Sequence, residues 1–113
     1  MNRLFTREEA DLTLPLVKRI VADILETAQE IREREEDDAG MALLHDRLQH
    51  HMLELEEIGC FYKDWNFEIG LVDFPAILDG STVFLCWRSD EPELEWYHPI
   101  EEGYRGRRPL PKA

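Results

Sequence analysis

Asp73, Arg88, His98, Arg107 and Arg108 are the residues of this chain best suited by type to do chemistry, and all five fall in its second half. Arg88 closes the apolar run TVFLCWR. His98 closes LEWYHP and is fixed by Pro99, and the two arginines stand in the closing segment HPIEEGYRGRRPL, residues 98–110. Guanidinium forks suit a carboxylate or a phosphate. An imidazole supplies a proton or a hydrogen bond, and a carboxylate such as Asp73 orients it. Trp96 and Arg105 lie among them, and Gly103 and Gly106 let the backbone turn tightly or approach something closely. One reading is an anion pocket. The competing reading is structural: with a formal net charge of −12, the chain offers its arginines many carboxylates of its own, Asp73 included, to clasp the tail to a sheet. That abundance favours the clasp. A weak metal site at His98 is a further use. No nucleophile–base pair, P-loop or dinucleotide fingerprint accompanies these residues, so catalysis has no motif behind it.

Other polar clusters are weaker. His45, His50 and His51 share a helical stretch with Glu54 and Glu57, and only His50 and Glu54, four apart, make a two-point clamp. That is short of an HExxH motif or a full ligand set. The acidic run from Glu26 to Asp38 lacks the ligand alternation and central glycine of a calcium loop and reads as a solvated face. Glu91, Glu93 and Glu95 alternate as on one exposed side of a strand. Cys60 and Cys86 have no CxxC or zinc-type spacing and read as buried small apolar residues. No cofactor and no metal are expected on these grounds.

The elements that must position these residues divide the chain into a helical hairpin over 6–59 and a small antiparallel sheet with its tail over 60–110, within a single domain 1–113. Thr6 and Glu9 form a capping box, with Phe5 before it as the outer half of a hydrophobic staple. Pro15 is expected to interrupt the first helix, with Thr13 recapping it. Leu16, Val17, Ile20, Val21, Ile24, Ala28 and Ile31 then make one apolar stripe. A polar turn closes at Gly40. A second helix carries Leu44, Leu48, Met52, Leu55 and Ile58 on one face and ends at Gly59. Beyond it, CFYKDW, GLVDFP, TVFLCWR and LEWYHP are short, rich in aromatic and β-branched residues, and separated by turn signals. Asp79-Gly80 is the strongest of these turns, and Ser89 to Pro92 is another. Three or four strands are expected, and the fold class is α+β: a long antiparallel helical hairpin packed with a small antiparallel sheet and a closing C-terminal segment.

A pI near 4.6 argues against nucleic acid, which needs a basic face, and against a polybasic membrane anchor. The opening MNRLFTREEADL has no apolar core of a signal peptide, and no apolar run approaches membrane-spanning length, so a cytoplasmic location is expected. A chain of 113 residues buries a modest fraction of its surface, and oligomerisation is a natural supplement.

FTREEADLTLP, GLVDFP, LCWR and H-x4-G-Y-x-G-R-R-P-L together resemble the bacterial family known as domain of unknown function 2203, over nearly the whole chain. Here Tyr97 precedes His98 where the family commonly has Trp, and Tyr104 stands where Phe is usual. The resemblance implies a small cytosolic protein, brings no activity with it, and directs attention to the sheet and tail. The expected function is therefore that of a non-enzymatic interaction or scaffolding protein, because the first helix carries apolar positions beyond the reach of a small sheet. Its hairpin would self-associate or dock a protein partner. The alternative is a small anionic-ligand or enzymatic site at the sheet end, built from Arg88, His98, Arg107 and Arg108 with Asp73 orienting.

Overall fold

In the computed structural model, residues 3–34 and 39–111 are described. The capping box starts α1, Arg7–Glu33: the Glu9 N–H donates to the Thr6 hydroxyl at 3.0 Å, and the Thr6 N–H donates to the Glu9 carboxylate at 2.9 Å. The interruption expected at Pro15 does not occur, and the helix runs through it. The proline lies on the solvent side, so the Asp11 carbonyl it leaves without a helical donor stays near water. A mid-helix proline costs about 3 kcal/mol. Burial of Leu14 and Val17 on either side gains about 1.5–3 kcal/mol each, enough to hold the helix across it. The buried face is Ala10, Leu14, Val17, Ile20, Val21, Ile24, Thr27 and Ala28, whereas Leu16, expected on the stripe, is exposed.

The acidic run is described only as far as Arg34, and residues 35–38 lie outside the described residues. The second helix, α2, spans Met41–Ile58 and ends as its sequence requires: Gly59 sits at φ 103°, and its N–H and that of Cys60 both reach the Leu55 carbonyl. Leu44 and Leu55 are buried, while Leu48, Met52 and Ile58 are partly buried against the core.

Among the described residues the sheet has five strands, not three or four, in the order β1-β2-β3-β4-β5, every neighbour antiparallel. They are β1 Phe61–Tyr62, β2 Leu71–Leu78, β3 Ser81–Arg88, β4 Trp96–Pro99 and β5 Arg108–Pro109. The extra strand is the tail, which returns through a short 3-10 turn at Tyr104–Gly106 to pair with β4. Asp79 and Gly80 turn β2 into β3 with φ values of 50° and 80°, the paired positive angles of a tight hairpin.

Alternation along the strands gives the sheet two unlike faces. Val72, Phe74, Ala76, Val83, Leu85 and Trp87 join α1 in the apolar core. Gly70 permits that docking, since a Cβ there would come within 2.3 Å of Val21 Cγ1. Phe5 also enters this core and pairs along β2 opposite Ala76, a larger role than a staple. The opposite face bears Leu71, Asp73, Phe84, Cys86, Trp96 and His98, and the tail at Ile100, Glu102 and Tyr104 lies over this part of it.

Candidate functional site

On that second face, β2 and β3 set Asp73 opposite Cys86, and β4 brings His98 beside them, opposite Phe84. All three are buried, at 4%, 2% and 3% exposure. His98 Nε2 lies 3.1 and 3.2 Å from the two oxygens of Asp73. Its Nδ1 lies 2.9 Å from the Pro99 carbonyl, which can only accept, so Nδ1 carries a proton. In a neutral ring Nε2 then presents a lone pair to a carboxylate, and two acceptors at 3.1 Å need a proton or a cation between them. A carboxylate oxygen of Asp73, Cys86 Sγ and a ring nitrogen of His98 all fall within 4.8 Å of one another.

Burial pushes the Asp73 carboxyl up, against the pull of His98. Burial, reinforced by the Asp73 carboxylate, raises the Cys86 thiol to about 12, while Arg107 beside it works the other way. The thiol is thus protonated at neutral pH and unsuited to nucleophilic attack. A cavity of about 260 Å³ opens over the cluster, with Lys63, Phe84, Ile100, Glu102 and Tyr104 on its walls.

The arginines do not line this cavity. Arg88 donates from Nε and Nη2 to Asp90 at 2.6 and 2.9 Å and from Nη1 to the Tyr104 hydroxyl at 2.5 Å. Arg107 donates from Nη2 to Glu91 at 2.6 Å and to the Cys86 carbonyl at 3.1 Å, with its guanidinium between the Trp96 and Tyr104 rings at 5.0 and 4.9 Å. Burial opposes its charge, but the hydrogen bond and charge of Glu91, with Cys86 and Tyr104 beside it, more than compensate, and its pKa lies above the usual arginine value. Arg108 reaches Glu102 at 3.3 Å on the surface, and Arg105 is exposed. Of the five residues singled out by type, the structure joins Asp73 and His98 directly and sets Arg107 next to them through Cys86. Arg88 and Arg108 stand apart with their own carboxylates.

Two expectations need correcting. Glu91 is not on an exposed strand face: β4 begins only at Trp96, and Glu91 lies in the preceding turn, where its carboxylate also accepts from the Arg88 N–H at 2.8 Å. On α2, His51 Nδ1 is nearer to Glu54, at 3.1 Å, than His50 Nε2 at 3.6 Å. Cys86 was missed as a site member because neither cysteine has motif spacing. The signal was the turn: counting back from Leu78 opposite Ser81 puts Cys86 opposite Asp73.

No curated protein and no solved structure matches this chain. A family profile does match, over residues 3–110, which takes in both helices, all five strands and the Asp73, Cys86 and His98 cluster. The chain belongs to the family described as uncharacterized conserved protein DUF2203.

Proposed function

We propose that this protein is a non-enzymatic binding protein that takes a small cation in the cavity between its sheet and its closing tail. One observation carries this reading: the floor of the cavity presents a carboxylate, an imidazole and a thiol, all electron-pair donors, while Arg88, Arg107 and Arg108 are engaged by Asp90, Glu91 and Glu102. The anion pocket suggested by the arginine count would need those guanidinium groups free. The test is an amide NMR titration of the full chain with butylammonium, with a divalent metal ion and with inorganic phosphate. Shifts confined to Asp73, Cys86, His98 and the 100–104 segment with either cation are expected. Shifts at Arg107 and Arg108 with phosphate, and none with cations, overturn the reading.

A second reading, association through the helical hairpin, is favoured by the apolar side chains that both helices and the loop after β1 leave open. Leu43 is 64% and Trp65 67% exposed, and Leu12 and Leu53 are exposed as well. Sedimentation equilibrium over rising concentration is expected to show mass growing beyond 13.4 kDa, and less growth in Leu43→Glu. A constant monomer mass would sink it.

A further inference from the structure

The geometry points to a specific ligand for this site: Asp73, Cys86 and His98 form a three-ligand centre for a divalent transition-metal ion of the zinc class, with its fourth position open to the cavity. This rests on the cation-binding reading above and narrows it.

The first argument is distance. Zinc binds carboxylate oxygen and imidazole nitrogen at about 2.0–2.2 Å and thiolate sulfur at about 2.3 Å, so donors at the corners of a tetrahedron lie roughly 3.3–3.6 Å apart. The Asp73–His98 edge, 3.1–3.2 Å, is already close to that length. Cys86 Sγ is within 4.8 Å of both partners and closes the triangle by moving roughly 1.3 Å at most.

The second argument is orientation. A metal-bound imidazole ordinarily donates its other N–H to a carbonyl or carboxylate, which fixes the tautomer and aims the free lone pair. His98 does this through Nδ1 to the Pro99 carbonyl. The Nε2 lone pair is then directed at the carboxylate, an arrangement that an ion between them satisfies.

Charge supplies the third argument. A divalent ion with one carboxylate, one thiolate and one neutral imidazole is a neutral unit, the form in which a buried cluster is tolerated. Binding releases to solvent the thiol proton and any proton held between Asp73 and His98, and no electron is transferred.

The donor set decides the class of ion. Calcium asks for six to eight oxygens and magnesium for an octahedron of them. Here one carboxylate is joined by sulfur and nitrogen, which suits zinc or cobalt. The three ligands project from β2, β3 and β4, the three central strands, and not from loops. Their spacing in the chain, thirteen and then twelve residues, matches no zinc motif, because the sheet assembles the set and no local loop does.

The full chain, stripped with a chelator and titrated with Co²⁺, tests this. Tetrahedral visible bands and a near-ultraviolet thiolate-to-cobalt band are expected at one ion per chain, displaced by Zn²⁺. Cys60→Ser keeps both, which assigns the sulfur to Cys86 even if Cys86→Ser does not fold. A folded Cys86→Ser loses the thiolate band and binds about 100-fold or more weakly. No thiolate band in the wild type, or one lost in Cys60→Ser and kept in Cys86→Ser, overturns the metal centre. If that happens while butylammonium still shifts the cavity amides, cation binding survives without the metal. Silence in both experiments removes both.

Discussion

Arg107→Ala is expected to lower folding stability by about 3–5 kcal/mol, the loss typical when one partner of a buried ion pair is removed. The side chains of Arg107 and Glu91 are 11% and 14% exposed, and the contact between them is 2.6 Å. The substitution leaves the Glu91 carboxylate with little water and withdraws a donor from the Cys86 carbonyl. It also empties the slot between Trp96 and Tyr104, whose rings lie within 5.0 Å of the guanidinium carbon. Urea denaturation measures the loss as a shift in midpoint at nearly constant slope. Arg108→Ala provides the contrast: its pair with Glu102 is 53% and 43% exposed at 3.3 Å, and such pairs contribute at most about 1 kcal/mol. The double variant Arg107→Met with Glu91→Leu is expected to recover much of the loss, because apolar replacement of a whole buried pair is often neutral. If Arg107→Ala denatures with the wild type, the tail is not held by this pair.

The same comparison shows what the sequence could not distinguish. Arg107 and Arg108 are neighbours with equal claims by type, yet one is wedged under the sheet and the other pairs at the surface. The difference comes from the tail's path through Tyr104–Gly106 into β5, set by long-range pairing with β4. His98 likewise depends on the register of β3 with β4, and the turn region between them, which contains Glu91 and Pro92, has no simple turn to count from. The β2–β3 hairpin was different. Its two-residue turn fixes the register by itself, so the partnership of Asp73 with Cys86 was available from Asp79-Gly80. The α+β class and the hairpin were legible for a related reason: helical periodicity, the capping box and Gly59 are local signals that agree with the packing. At Pro15 local and tertiary preferences conflict, and burial of the flanking residues decides.

Phe5→Ala is expected to cost about 3–5 kcal/mol, the range for removing a buried aromatic ring. As a staple, Phe5 at the position before the cap would pack only against Ala10, the fourth residue of the helix, and its loss would merely fray the first turn. Its surroundings require more. Phe5 is 1% exposed and meets Phe74 edge-to-face at 5.4 Å, an arrangement that adds about 0.5–1.5 kcal/mol beyond burial. The Arg3 guanidinium carbon lies over the Phe5 ring, 4.0 Å from its centre, and the Arg3 stem lies so near Gly59 that a Cβ there would be 3.0 Å from it. The backbone contributes separately: the Phe5 N–H donates to the Pro75 carbonyl at 2.7 Å, and the Ile77 N–H donates to the Phe5 carbonyl at 3.0 Å. Because β1 pairs with β2 at Val72 and Asp73 and the Lys63 N–H reaches the Leu71 carbonyl, these two bonds extend the cover of that edge to Pro75 and Ile77. Phe5→Leu, which keeps most of the volume, is expected to lose about 1 kcal/mol. Hydrogen exchange at the Ile77 amide is expected to quicken in Phe5→Ala, while the Glu9 amide, held by Thr6, changes less. A loss below about 1 kcal/mol with Ile77 still protected returns Phe5 to the staple, whose contribution ends at the helix it precedes.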